Sequence, residues 1–200
     1  MKTAWFDRDT LPASMLNAGF KPLAESDHFP ALNECFEKIS DQHTLMDLGC
    51  GAAEVSQTFD TFEYSGADLP HIIDHVAKKK NPTAEFIYFD ANTDSYEFLS
   101  SYDVVLMNSF ISEVPDWYRV LSNVLHYSDN FVVIHRQEVT SRPSYLQDYK
   151  TYGSLTTIKS VINYEDLKNM FTMNGYDILH ETLSFPGNNT QKTFLLKKTR

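Results

Sequence analysis

Hydrophobic residues along this chain alternate between short apolar runs and runs with helical spacing. The run over residues 103–108 has an unbroken apolar centre, which is typical of a strand buried on both faces of a parallel sheet. Six further strands are predicted at 44–48, up to Asp68, at 85–90, at 131–134, at 177–185 and at 193–196. The last two are separated by a short loop around Pro186-Gly187-Asn188-Asn189, so we expect them to form an antiparallel hairpin.

Between the strands, apolar residues recur every three or four positions, which predicts helices. Leu32 and Ile39 mark the two ends of one such apolar face, on a helix over 31–39. The other predicted helices run through 55–59, 72–80, 117–125 and 163–175. The last of these should begin at an Asn163 cap and end at Gly175, since glycine tolerates the left-handed conformation that closes a helix.

The alternation of strands and helices predicts a doubly wound α/β fold with a mostly parallel sheet. Two segments fall outside that alternation. Residues 1–30 are irregular and punctuated by three prolines, and they form an N-terminal segment that could act as a lid. Residues 137–161 contain three tyrosines and are a connection that regular alternation does not require, so we predict a loop insertion there, also with a lid role.

Composition narrows the classes of function. At 200 residues the chain is expected to be one domain, and its formal net charge of −10 argues against a nucleic-acid ligand. Cys35 and Cys50 lie on a predicted helix and in a glycine turn, so no disulfide framework is expected. No window approaches the roughly 20 apolar residues of a membrane span, and residues 1–20 do not resemble a signal peptide. We therefore expect a cytoplasmic protein without membrane partners.

Candidate chemistry follows from where the predicted strands end, because ligands of open α/β sheets bind beyond the carboxyl ends of the strands. The residues at those ends are Asp47, Gly49, Cys50, Gly51, Asp68, Asp90, Asn108, Ser109, Phe110, His135 and Arg136. Carboxylates at three successive strand ends do not suit a phosphate. They suit a ligand that carries hydroxyls, an amine and a positive charge. The histidines show no metal-ligand spacing with cysteine, so no metal site is expected.

The segment Met46-Asp47-Leu48-Gly49-Cys50-Gly51 resembles the first motif of the class I S-adenosylmethionine-dependent methyltransferases. Weaker similarities in the same order extend the resemblance over about residues 32–196. The resemblance implies a Rossmann-like seven-stranded sheet, mostly parallel with a C-terminal antiparallel hairpin, and a methyltransferase domain over 31–200. It also implies S-adenosylmethionine as the cofactor.

The resemblance assigns roles to the strand-end residues. Asp47, Gly49, Cys50 and Gly51 would support the cofactor in the glycine turn. Asp68 would bind the ribose hydroxyls beside Leu69, and Asp90 would accept from the adenine amine beside Ala91. Asn108 would stand between cofactor and acceptor, because the family places the methyl acceptor after the fourth strand.

We predict a methyltransferase that acts on a small molecule, with oxygen and nitrogen acceptors both left open. His135 would be the base for a hydroxyl, whereas Asn108 would help to orient an amine. Further acceptor contacts are expected from Ser109, Phe110, Arg136 and Tyr149. The missing prolines after Asn108 argue against a nucleobase or amide nitrogen, and the sequence does not indicate an oligomeric state.

Two departures from the family pattern keep other functions in view. Ala53 stands where the family often has a third glycine, a mild change that should leave cofactor binding intact. A non-catalytic protein that binds S-adenosylmethionine and acts through a partner remains an alternative. A nicotinamide-dependent dehydrogenase is disfavoured, because Glu54 stands at the third glycine of that motif and would face the pyrophosphate.

Overall fold

The computed structural model describes residues 4–18, 21–152 and 155–199. Parts of both predicted lid segments, residues 1–3, 19–20 and 153–154, lie outside the described residues, as does Arg200. The strands are β1 Thr44–Leu48, β2 Glu63–Asp68, β3 Glu85–Tyr88, β4 Val104–Asn108, β5 Phe131–Thr140, β6 Tyr145–Thr151, β7 Leu155–Asn163, β8 Tyr176–Leu183 and β9 Gln191–Lys198. The helices are α1 Leu11–Asn17, α2 Phe29–Glu37, α3 Val55–Thr58, α4 Pro70–Ile72, α5 Lys78–Lys80, α6 Trp117–Tyr127 and α7 Tyr164–Met173, with a π-helical turn, Ile73–Ala77, between α4 and α5.

The predicted seven-stranded sheet is confirmed, in the spatial order β3-β2-β1-β4-β5-β9-β8. The strands from β3 to β5 pair in parallel, and β9 runs antiparallel to both β5 and β8. Two registers matter for the site, because Leu48 lies beside Ala67 and Asn108 lies beside His135. Strand order reverses at β1 and β4, the position where doubly wound sheets bind ligands.

Apolar layers cover both faces of this sheet. Met46 and Leu48 of β1 join one core cluster, whereas Leu45 of the same strand joins the cluster on the opposite face. The helix predicted to end at glycine does so, since Gly175 follows α7 with φ 78°. Among the described residues, no helix is long and apolar enough to cross a membrane.

The segment 137–161 is not a loop, as the sequence suggested, but a continuation of the sheet. Strand β5 runs on to Thr140, and β6 and β7 form an antiparallel hairpin. The hairpin joins β5 through the parallel pair Val139 and Ile162. The prediction failed because β6 is polar and largely exposed, so it lacks the alternating apolar residues that identify a strand.

The N-terminal segment is also more ordered than its irregular pattern suggested. It contains α1 and two short 3-10 turns, at Ala4–Phe6 and Leu23–Glu25. Leu11 and Met15 of α1 pack against Ile72 and Val76, which places the segment across the carboxyl edge of the sheet. Helices as short as these leave too few apolar repeats to be recognised from the sequence.

Candidate functional site

A cavity of about 610 Å³ opens at the carboxyl ends of the parallel strands. Most of the predicted site residues line it. They are Asp47, Gly49, Cys50, Gly51, Asp68, Leu69, Asp90, Ala91, Asn108, Ser109, Phe110 and Arg136. The wall formed by the described residues does not include His135 or Tyr149. The fold therefore brings all but two of the predicted site residues together at one cavity.

In the glycine turn after β1, the backbone lies close to the side chains of Phe110 and Asp68. Gly49 has φ 78°, and a Cβ atom there would lie 2.3 Å from Cδ2 of Phe110, so no side chain fits. Gly51 has φ 55°, and its backbone N–H donates to Oδ2 of Asp68 at 2.8 Å. The turn is thus fixed to the end of β2 and presents its backbone to the cavity.

Asp68 is held by the backbone on both sides of its carboxylate. Oδ2 accepts from Gly51, and Oδ1 accepts from the N–H of Leu69 at 2.7 Å. Burial raises the pKa of Asp68 to about 6, although these two hydrogen bonds oppose the shift. Because each oxygen has two lone pairs, both can still accept a hydrogen bond from a hydroxyl of a ligand in the cavity.

Asp47 is the more deeply buried carboxylate. Its Oδ2 accepts from the hydroxyl of Tyr64 at 3.0 Å, while Oδ1 is buried and has no hydrogen-bond partner among the described residues. Burial raises the pKa of Asp47 to about 7. A buried carboxylate oxygen without a donor is costly, so it fits a ligand that brings a donor or a positive charge.

Asp90 borders the cavity from the end of β3. Its Oδ1 accepts from the backbone N–H and from the side-chain amide of Asn92, both at 2.9 Å. The described residues provide no donor to its Oδ2, which can therefore accept from a ligand amine. We call the part of the cavity lined by Asp47, the glycine turn, Asp68 and Asp90 the cofactor half.

The end of β4 and the neighbouring part of β5 build the opposite part. Nε of Arg136 donates to Oδ1 of Asn108 at 2.9 Å, which joins the two strands. Arg136 itself has φ 59°, at a point where the register between β5 and β9 shifts. Ser109 also has a positive φ, 61°, and its N–H donates to the carbonyl of His135 at 2.8 Å. This part, with the N-terminal residues above it, is the acceptor half.

His135 is not placed to contact a ligand, which corrects the prediction of a direct catalytic base. Its side chain is completely buried, with Nδ1 2.7 Å from Oγ1 of Thr193 and Nε2 3.0 Å from Nδ1 of His28. Burial holds its pKa well below the usual value. His28 lines the cavity in its place, and burial together with the nearby Arg136 lowers the pKa of His28 to about 4.

Glu113 is another titratable cavity residue that sequence reasoning missed. Its Oε2 accepts from Nε1 of Trp5 at 3.1 Å, and its Oε1 accepts a short hydrogen bond from the hydroxyl of Tyr149. Tyr149, predicted as an acceptor contact, thus supports Glu113 instead. Burial raises the pKa of Glu113 to about 7. A signal was available, because Glu113 lies only five residues after Asn108 at the same strand end.

A family model described as "Methyltransferase domain" matches residues 23–181. Comparison with curated proteins found no match. Solved structures do match. CalS10, described as an amino pentose methyltransferase from Micromonospora echinaspora and bound to SAM (S-adenosylmethionine), is 13% identical, with 96% of this chain and 97% of that chain covered and a TM-score of 0.69. DesVI from Streptomyces venezuelae is 12% identical, with 96% and 98% covered and a TM-score of 0.68.

A third similar structure is magnesium protoporphyrin IX methyltransferase from Synechocystis with bound SAH, the demethylated product S-adenosylhomocysteine. It is 13% identical, with 97% of this chain and 94% of that chain covered and a TM-score of 0.65. At such low identity these likenesses establish the fold. The ligand and the acceptor of this chain must be inferred from the residues of its own site.

Proposed function

This chain belongs to the methyltransferase domain family of the class I S-adenosylmethionine-dependent superfamily, and on that premise we propose that it methylates a small-molecule acceptor. The observation that carries the proposal is one continuous cavity with two chemically different halves. The cofactor half presents carboxylates with open acceptor positions, and the acceptor half presents Asn108, Glu113, His28 and Arg136. A cytoplasmic location and an acceptor other than nucleic acid, both predicted from the sequence, are part of this proposal.

The cofactor half fits S-adenosylmethionine in its donor and acceptor groups. We assign Asp68 to the ribose hydroxyls and Asp90 to the adenine amine, because each has an acceptor position that the protein leaves open. The unpartnered Oδ1 of Asp47 suits the positively charged end of the same molecule. Leu69 and Ala91 line the wall between these carboxylates, where the flat rings would lie. When bound, the cofactor supplies a methyl group that is already activated by the positive charge of its sulfonium.

The chain's own residues must then align the acceptor, exclude water and take up a proton. Glu113 replaces His135 as our candidate for the last task. It lines the acceptor half, and a carboxyl with a pKa near 7 is partly deprotonated at neutral pH, where general bases work best. Asn108, Ser109 and Phe110 line the wall between Glu113 and the cofactor half, so we assign them to positioning.

His28 has a different role from Glu113. With a pKa of about 4 it is uncharged at neutral pH, and it binds the equally neutral His135 behind it. A neutral imidazole can donate or accept one hydrogen bond but is a weak base. We therefore assign His28 to orienting the acceptor, and His135 to positioning His28.

The test is production of S-adenosylhomocysteine by the purified protein. S-adenosylmethionine would be supplied with a panel of amino sugars, phenols and carboxylic acids, with the exposed-site variant Tyr118→Phe as a matched control. Release of the product that depends on one acceptor class supports the proposal. Binding of the cofactor without turnover by any member of the panel would favour the non-catalytic alternative.

A further inference from the structure

Arg136 places a cation in the acceptor half, and no described residue forms an ion pair with it. Arg136 lines the cavity, and among the described residues its side chain bonds only to Asn108, through Nε. The ion pairs within 4.0 Å that the described residues form do not include Arg136. We propose that Arg136 forms an anion subsite for a carboxylate or phosphate group of the acceptor, an inference that rests on the proposed function.

The backbone holds Arg136 in a conformation that arginine rarely adopts. Its φ of 59° falls at the irregularity between Ile134 and Gln137, which turns the side chain out of the β5 alternation. The N–H of Arg136 donates to Oγ of Ser184 at 3.2 Å, and Oγ of Ser184 lies 2.9 Å from Oγ1 of Thr193. Left-handed backbone at a residue with a side chain costs free energy and is concentrated at functional sites.

The geometry of the guanidinium defines the ligand group. Because Asn108 binds Nε, the N–H groups of the two terminal nitrogens remain for the cavity. A planar pair of such donors matches the two oxygens of a carboxylate or phosphate. Leaving this charge partly buried and unpaired is unfavourable, so an anionic ligand gains both hydrogen bonds and the removal of that cost.

The two carboxylates with the strongest electrostatic effect on Arg136 do not neutralise its charge as ion-pair partners. Glu113 and Glu54 both act on Arg136 at longer range, but in the described residues neither forms an ion pair with it. Glu113 is already bound by Trp5 and Tyr149. His28, another titratable neighbour, is neutral and cannot balance the charge.

An anion at Arg136 could in principle come from the cofactor, which has a carboxylate of its own. The position of Arg136 in the sheet favours the acceptor as the source of the anion. Arg136 lies in β5, and β4 separates β5 from the glycine turn after β1. Strands are spaced about 4.8 Å apart, so the two sites are on the order of 10 Å apart across the sheet. The experiment separates the two sources.

The test uses benzoate and phenyl phosphate as anionic probes and benzamide as their neutral counterpart. Each is titrated into the protein, free and saturated with S-adenosylhomocysteine, at low salt, with thermal stability and calorimetry as readouts. We expect at least one anion to bind at millimolar concentration and benzamide to bind at least tenfold more weakly. Arg136→Gln should abolish the difference, and Arg136→Lys should restore it in part. Arg142→Gln, a change at an exposed arginine, should retain it.

Three outcomes of the probe titrations would overturn the inference. They are equal binding of anionic and neutral probes by the native protein, no binding of either anion, or unchanged anion binding in Arg136→Gln. A tenfold loss of S-adenosylhomocysteine affinity in Arg136→Gln would assign the guanidinium to the cofactor's carboxylate and also overturn it. Failure of the native protein to bind S-adenosylhomocysteine would instead remove the proposed function, while the anion titration of the free protein still decides the subsite.

Discussion

The two halves of the cavity are built over very different distances along the chain. In the cofactor half, Asp68 binds the N–H of Gly51, 17 residues away, and that of the adjacent Leu69. In the acceptor half, Trp5 reaches Glu113 across 108 residues, and His28 reaches His135 across 107. Local geometry can be written into a motif, whereas the acceptor half exists only once distant segments have folded together.

The halves also differ in charge. The cofactor half is lined by carboxylates whose open positions all accept, so it selects for a ligand with donors and positive charge. The acceptor half combines a guanidinium, a carboxyl with a pKa near 7 and a neutral imidazole. A conserved cofactor requires the first arrangement, and the second is free to vary with the acceptor.

The largest expected effect is in the cofactor half. Asp68→Ala removes both the ligand contact and the clamp on Gly51, so we expect at least a 100-fold loss of S-adenosylhomocysteine affinity, about 2.7 kcal/mol. Calorimetry on the variant measures it. Asp60→Ala, which changes an exposed carboxylate, should bind as the native protein does. Unchanged affinity in Asp68→Ala would mean that the ribose does not bind there.

The next largest effect should change catalysis in the acceptor half without changing binding in the cofactor half. Glu113→Gln keeps the size of the side chain but removes the base, so kcat should fall by about 100-fold while S-adenosylhomocysteine affinity stays within twofold. The native pH–rate profile should rise with pH to a plateau, with its midpoint near the pKa of about 7. That limb should vanish in the variant. A variant with native kcat and an unchanged profile would leave Glu113 as a structural anchor only.

A smaller effect concerns pH and cofactor binding. In the free protein Asp68 has a pKa of about 6, and hydroxyls that donate to it favour its deprotonated form. Binding should therefore release protons from Asp68 and also from Asp47, whose pKa is about 7 in the free protein. Affinity should accordingly rise as pH increases through about 6 to 7 and then level off. Titrations of S-adenosylhomocysteine in two buffers of different ionisation enthalpy measure the release. Proton uptake on binding would contradict the assignment.

The smallest effect tests the cover of the acceptor half. Trp5→Phe keeps an aromatic side chain, although a smaller one, but removes the hydrogen bond to Glu113, worth about 1 kcal/mol. We expect KM for the acceptor to rise about fivefold, with S-adenosylhomocysteine affinity unchanged. Tyr118→Phe, at an exposed position, should change neither quantity. Weaker binding of the cofactor in Trp5→Phe would show that the two halves are not separable in this way.

The sequence predicted the cofactor half in detail, since Asp47, Gly49, Gly51, Asp68 and Asp90 all line the cavity. Each of them lies at or just after the carboxyl end of a strand, and the apolar pattern shows where a strand ends. The same pattern predicted seven of the nine strands of the described residues in their order along the chain, together with the final antiparallel hairpin, which is confirmed. It missed β6, β7 and the short helix α1.

The acceptor half was predicted less well, for physical reasons. His135 lies in β5 beside the last residue of β4, but its side chain points into the buried network of Thr193 rather than into the cavity. Trp5 and His28 belong to a segment without any periodic pattern, so nothing in the sequence places them above β4 and β5. Tyr149 was expected to contact the acceptor, and only the fold shows that its hydroxyl is used by Glu113.

The most direct measurement is a calorimetric titration of S-adenosylmethionine and S-adenosylhomocysteine into the purified native protein. The carboxylates of the cofactor half are preformed by their hydrogen bonds, so we predict one site per chain with micromolar affinity for both. The enthalpy should depend on the buffer near pH 6. Absence of binding at millimolar ligand would contradict the assignment of the cavity and, with it, the proposed methyl transfer.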